Sequence, residues 1–259
     1  MRLRTVLALM AAVPFATAYV GVSQAACSLP YTITNGTPAD ATEVMANFNA
    51  LLACINANAG SGLYSQILSD TPTIASTGLA NWLNQGSSTV SDTGVGMTIS
   101  APSSGSSENL VVRYKAAPAT PYTITALISV TRSSTSHNGI GIGWYDGTAK
   151  LHVINFGLNA AATNRASPRV QRWNSVTSHN STDIILANSG YSLPLWMRIA
   201  DDGTSVSFWY SQDGAEYYQV LSVAKASGFL GTSGYSNIAF FVNPKESQTF
   251  GTLLSWDEN

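Results

Sequence analysis

The chain has 259 residues, with 12 Lys and Arg against 14 Asp and Glu, a formal net charge of -2 and only 10% charged residues. That balance offers no basic field for phosphate backbones or anionic lipid, so nucleic acid is not an expected partner. Polar surface has to come from Ser, Thr, Asn and Gln instead.

Arg2 and Arg4 precede an apolar run from Val6 through Ala18, and small residues follow at Ser23, Ala25 and Ala26. This is the pattern of a secretory signal peptide. Cleavage after Ala25 or Ala26 leaves nothing like the roughly 20 apolar residues of a membrane span. The expected location is therefore secreted, periplasmic or cell-surface, with no transmembrane segment in the mature chain. Cys27 follows two alanines, but Gln24 stands where a lipid-attachment signal wants a Leu-like residue. Export makes a bridge between the two cysteines, Cys27 and Cys54, the simple reading. Such a bridge would stabilise the N-terminal segment by on the order of 3 kcal/mol in the chain-entropy model. Unpaired thiols or bridges between chains stay open, because sequence does not fix geometry.

The helix signals are concentrated between Pro38 and Ile55. Thr37 is placed to cap, Pro38 suits the first helical position, and Asp40 and Glu43 put negative charge at the positive end of the dipole. Val44, Phe48, Leu51 and Ile55 follow steps of four and three, and Met45 and Leu52 widen the stripe. That apolar face needs a cover, either the β domain or other copies of the chain. Asn56 to Ser61 reads as the linker that ends the helix.

Beyond it the period changes to two. Strands are expected at Thr89–Ser100, Asn109–Ala116, Pro121–Thr131, Ile140–Tyr145, Leu151–Phe156, Arg169–Trp173, Leu195–Ala200, Val206–Tyr210, Tyr217–Val223 and Ile238–Val242. Asp146-Gly147, Asp201-Asp202-Gly203 and Asp213-Gly214 supply the turn chemistry. So many short strands joined by such turns predict an all-β, antiparallel two-sheet sandwich preceded by one N-terminal helix. The resulting division is 1–26 signal peptide, 27–60 helix and linker, 61–259 sandwich.

The alternation also assigns faces. Ile140, Ile142 and Trp144 share one face and Gly141 and Gly143 the other, leaving room for an aromatic ring, a second backbone or a ligand. Val206, Phe208 and Tyr210 share a face, while Ser207 and Trp209 point away from it.

Catalytic patterns are missing from the sequence. Jelly-roll glucanases place Glu-x-Asp-x-x-Glu on one strand to set an acid and a base or nucleophile about a glycosidic bond, and no such cluster occurs. Asp201-Asp202 and Asp213 with Glu216 sit at turns, and Asp257-Glu258 reads as a solvated tail. His137, His152 and His179 have no neighbours at metal-ligand spacing, and the acidic turns at Asp146 or Asp201 lack a full calcium ligand set. The expectation is no catalytic residue, no metal and no cofactor. Aromatic rings among amides and hydroxyls remain, the combination that stacks on sugar faces and orients hydroxyls. The candidate ligand residues are Trp144, Tyr145, Trp173, Asn174 and Trp209, with Trp82, Trp196 and Trp256 assigned to the core.

Leu29-Pro30-Tyr31-Thr32-Ile33-Thr34-Asn35-Gly36-Thr37-Pro38-Ala39-Asp40, continuing through Val44 to Leu52, resembles the opening of bacteriophage tail-fibre-like proteins. The segments Val112–Ile124, Leu195–Thr204 and Leu253–Trp256 resemble a concanavalin A-like jelly-roll domain of lectins and glucanases. Together the resemblances imply a jelly roll behind a helical adaptor, a carbohydrate or cell-surface polymer as partner, and a homotrimer joined at Val44, Phe48, Leu51 and Ile55. The secretion signal departs from the phage pattern, since tail components assemble inside the host cell. An exported bacterial binding protein fits signal, cysteines and resemblance together, with a structural or adhesive subunit, or a polysaccharide hydrolase or lyase, as alternatives.

Overall fold

The computed structural model describes residues 29–31, 40–59, 71–132, 139–159, 165–186 and 193–259. The signal segment and Cys27 lie outside the described residues, as do the side chains of Cys54 and Ile55. The chain divides into two units, Met1–Asn58 and Ala59–Asn259.

In the first unit α1 spans Ala41–Ala59. It starts later than the sequence suggests, because Asp40 supplies the cap: the Thr42 amide donates to Asp40 Oδ1 at 2.7 Å, and this bond lowers the Asp40 carboxyl below its ordinary range. The helix also includes Asn56–Ala59, the first four residues of the expected linker; Gly60 and Ser61 lie outside the described residues. Asn47 fastens Tyr31 to it, accepting from the Tyr31 amide at 3.0 Å and donating to its carbonyl at 2.9 Å. Val44 is half-buried, whereas Phe48 is 62% and Leu51 42% exposed. No helix among the described residues is long and apolar enough to cross a membrane.

The second unit is two seven-stranded antiparallel sheets. A four-residue helix α2, Ile74–Thr77, precedes the strands, closed by a capping box between Thr73 and Ser76. The first sheet has the order β1-β4-β13-β6-β7-β8-β9, from β1 (Asn81–Leu83), β4 (Val111–Ala116), β13 (Asn237–Asn243), β6 (Gly139–Tyr145), β7 (Leu151–Asn159), β8 (Arg165–Ser175) and β9 (Ser178–Ile185). The second has the order β12-β11-β10-β5-β14-β3-β2, from β12 (Tyr218–Ala224), β11 (Ser205–Ser211), β10 (Leu195–Asp201), β5 (Tyr122–Arg132), β14 (Thr249–Glu258), β3 (Gly96–Ala101) and β2 (Thr89–Thr93). Crossings such as β4 to β5, β5 to β6 and β13 to β14 wind the chain between the sheets, and the expected sandwich is what forms.

The main core lies between the sheets. Ile140, Ile142, Trp144, Ile154 and Phe240 of the first sheet meet Ile124, Ile128, Met197, Ile199 and Phe208 of the second, all fully buried. Gly251 of β14 is a point of close approach: a Cβ there would come within 2.1 Å of Val242 Cγ1. A second cluster on the outer face of the first sheet contains Leu110, Val112, Tyr145, Leu151, Val153, Trp173, Ala239 and Phe241.

The stretch Thr89–Ser100, read as one strand, folds as the hairpin β2-β3, with Thr93 opposite Gly96. A Cβ on Gly96 would sit 2.0 Å from the Leu253 carbonyl oxygen, so only glycine lets β14 pair alongside. The expected tail Asp257-Glu258 instead lies in β14, with Glu258 in an ion pair with Lys115.

Trp144 is the core's largest side chain. It is fully buried, its rings meet Phe208 at 5.1 Å and Tyr235 at 5.5 Å edge-on, and its Nε1 donates to the Tyr122 hydroxyl of the opposite sheet at 2.7 Å. Trp144→Ala is expected to destabilise the sandwich by about 3–5 kcal/mol, read as a lower midpoint in urea denaturation, whereas Asn174→Ala leaves the midpoint unchanged.

Candidate functional site

The five candidate ligand residues do not converge. Trp144 is core, as described, because inward alternation on β6 carries its ring between the sheets. Tyr145 is 5% exposed and packs edge-on against Tyr114 at 5.1 Å. Trp173 is 2% exposed, on the outer face of the first sheet. Asn174 is exposed beside the β8-β9 turn, accepting from Asn180 Nδ2 at 3.1 Å. Burial therefore withdraws the Trp144 and Tyr145 rings from any stacking surface. Of the tryptophans assigned to the core, Trp196 is buried, whereas Trp82 and Trp256 are partly so. The Arg113 guanidinium lies 4.5 Å from the Trp82 ring centroid. The space over Gly141 and Gly143 is filled by β7: a Cβ on either would come within 2.8 Å of Asn155 Cβ or Val153 Cγ1.

Trp209 reaches an open cleft. Strand register explains it: Arg198 pairs with Trp209 on one side and Thr125 on the other, and Ala200 pairs with Ser207 and Thr123. These residues share the outer face of the second sheet, opposite the face that buries Val206, Phe208 and Ile199. Thr123, Arg198, Ala200, Ser207 and Trp209, with Asp202, line a cleft of about 270 Å³. Trp209 Nε1 donates to Ser207 Oγ at 2.9 Å, which orients the half-buried indole. Arg198 is held twice, by its Nε donating to Thr125 Oγ1 at 3.0 Å and by its guanidinium carbon 3.5 Å from the Tyr217 ring centroid. The cleft thus offers an indole, a fixed guanidinium and hydroxyls. Sequence reasoning missed Arg198, Thr123 and Ser207 as its walls. A charged residue at an outward strand position in so weakly charged a chain was the available signal.

Three of the nearby carboxylates, Asp201, Asp202 and Asp213, are tied into turns, whereas Asp257 lies opposite Thr125 on β14 and bonds the Asn259 side chain. Asp202 Oδ1 accepts from the amides of Thr204 and Ser205 at 2.8 and 2.6 Å, bonds that lower its pKa. Asp213 Oδ1 accepts from Ala215 and Glu216 at 2.9 and 3.0 Å. Asp201 accepts from the Gly203 amide and pairs through Oδ2 with Lys225 Nζ at 2.5 Å. At the other aspartate turn Asp146 Oδ1 takes the amides of Thr148, Ala149 and Lys150. The sequence reading of these residues as turn formers matches this geometry. Among the described residues no group of three or more His, Cys, Asp or Glu could hold a metal ion.

A buried ionic group lies on the inner side of β7, β8 and β9. His152 Nε2 lies 3.0 Å from Asp183 Oδ2, and Arg172 donates to both oxygens of Asp183, at 2.9 and 2.7 Å. The imidazole is wholly buried and stacks edge-on against Phe208 at 4.6 Å. Burial lowers the His152 pKa, Asp183 works against this and Arg172 with it. Burial would raise the Asp183 carboxyl, but the bonds and charges of His152 and Arg172 bring it below its ordinary value.

Comparison with known proteins gives no family model and no curated protein that matches the chain. Among solved structures, a functionally unknown protein from Saccharomyces cerevisiae is similar at TM-score 0.46 and 12% identity, over 70% of this chain and 97% of that one. A GH43 protein from Bacillus licheniformis gives 0.46 and 15%, over 62% of this chain and 32% of that one. The carbohydrate-binding module CBM66 from Bacillus subtilis gives 0.43 and 10%, over 69% and 94%.

The histidine has a measurable consequence. Its folded pKa is depressed from 6.5, so the stability it contributes is fully present above pH 6.5 and is lost as pH falls through the folded value. Asp183 acts in the same direction lower down, from 3.8. The melting temperature is expected to fall between about pH 7 and about pH 5, and His152→Gln to flatten that slope in a thermal-unfolding series.

Proposed function

We propose that this chain is exported and that its sandwich binds carbohydrate, or a hydroxyl-rich cell-surface polymer, without acting on it. The observation that carries this reading is the cleft on the second sheet, where the Trp209 indole stands beside Arg198, Thr123 and Ser207. An indole stacks on the apolar face of a pyranose, while guanidinium and hydroxyls bond its oxygens. The non-catalytic part of the reading is supported by Asp201, Asp202 and Asp213, which are occupied with turn amides and a lysine and so leave no free pair of carboxylates with Asp202 at the cleft to serve as acid and base.

A glycan array with the mature protein is the direct test. Binding to at least one glycan class is expected, with Trp209→Ala weakening it roughly ten-fold or more and Asn174→Ala leaving it unchanged. No bound glycan on a protein whose circular dichroism shows a folded sandwich would sink the proposal. Release of reducing ends from a polysaccharide panel would instead make it a hydrolase.

The exposed stripe of α1 favours a second, structural reading, in which Phe48 and Leu51 join copies of the chain into a homotrimer. Light scattering should then give the mature protein about three times the mass per particle of a monomer, and a version starting near Gly60 the monomer mass. Equal monomeric masses would remove it.

A further inference from the structure

We infer that the Trp209 cleft selects an acidic sugar, a uronate whose ring lies on the indole and whose carboxylate is taken by Arg198. Resting on the reading of that cleft as a saccharide site, the assignment adds the class of sugar recognised there.

Register puts the ring and the charge side by side. Arg198 and Trp209 are directly opposite across β10 and β11, and the Cβ atoms of such a pair lie about 4.5–5.5 Å apart. A pyranose on the indole therefore carries its exocyclic carboxylate close to the guanidinium. The next outward positions are Ala200 and Ser207, again opposite one another, with Thr123 beside Ala200 on β5. Their side chains are small, so the floor drops beyond the Trp209–Arg198 pair and leaves room for a neighbouring ring. The cleft is accessible: Thr123, Arg198, Ala200, Ser207 and Trp209 are each half-buried and Asp202 is exposed.

Arg198 brings a charge that no carboxylate meets. Lys115, Arg172, Lys225 and Lys245 are each ion-paired, whereas among the described residues Arg198 has only neutral partners. Of the five N–H donors of a guanidinium, its Nε–H goes to Thr125 Oγ1 and another bond is shared with the Tyr217 side chain, whose ring covers one face of the group. Held in this way, the fork takes a planar carboxylate in a bidentate pair without first having to be ordered. The acids in the neighbourhood do not pre-empt it. Burial pushes the Tyr217 hydroxyl up, Arg198 works against this, and Asp213 and Asp257 add to it, yet Asp213 takes turn amides and Asp257 the Asn259 side chain. Asp202, the acid of the cleft itself, comes four residues after Arg198, roughly 13 Å along the chain at ~3.3 Å per residue. That exceeds the Debye length of about 8 Å at physiological salt, so its repulsion of a uronate seated on Arg198 is screened.

The mature protein is titrated calorimetrically with oligogalacturonate and oligomannuronate, each beside its neutral methyl ester and a sulfated oligosaccharide of the same length. At least one uronate is expected to bind roughly ten-fold or more tighter than its ester, with an affinity that falls as salt is raised. Trp209→Ala should weaken acid and ester alike, whereas Arg198→Gln should bring the acid-to-ester ratio close to one. On the wild-type protein the uronate should shift the Arg198 Nε–H and Trp209 indole N–H resonances, a readout independent of variant folding. Equal affinity for acid and ester, an acid preference that survives in a folded Arg198→Gln protein, or tighter binding of the sulfated sugar would each overturn the inference while leaving saccharide binding at Trp209 in place. If no glycan of any kind binds, the reading of the cleft itself fails, and the uronate assignment with it.

Discussion

The hydrogen bond between Trp144 and Tyr122 joins the two sheets, and the rest of the arrangement depends on the layer it spans. Each ring by itself would bring an unpaired polar atom into the interior, at a cost of about 1–3 kcal/mol. Together they cancel that cost. Burial pushes the Tyr122 hydroxyl up to about 12, against the bond from Trp144, while Asp201 pushes it further in the same direction. With the inner faces committed to this layer, only the outer faces and the loops are left open to any ligand.

Much of the sandwich was legible from period and turns alone. β4 to β8 and β10 to β13 each overlap an expected strand, because their inner residues are large and apolar. β14 was invisible to the same reasoning: its buried positions are Thr249, Gly251, Leu253 and Ser255, small or polar side chains that a crowded inter-sheet gap demands and that weaken the apolar pattern. β9 is polar along most of its length and half-exposed, so neither face announced itself. The helix start was misplaced by three residues' worth of good signals, since Thr37-Pro38 and Asp40 both satisfy capping rules and only geometry shows Asp40 doing so.

The candidate sites were legible only in part, for a related reason. An aromatic residue in a strand serves core and ligand equally well, and composition does not separate the uses; Trp144 and Trp209 differ because Trp144 shares the parity of Ile140 and Ile142, and Trp209 opposes that of Phe208. What fixes a site is which strands are neighbours. Arg198 meets Trp209 and Thr125 only through the β5-β10-β11 order.

The placement of Asp183 also bears on how the molecule behaves among its own kind. β9 is the last strand in its sheet's order, and a chain with so few charges has little electrostatic repulsion to keep copies apart. Pairing with β8 shifts register at several points, one of them at Asp183, and such irregularity keeps a foreign strand from lying flat along the edge. The register break that turns Asp183 inward toward His152 and Arg172 therefore also makes the rim a poor template for fibrous stacking.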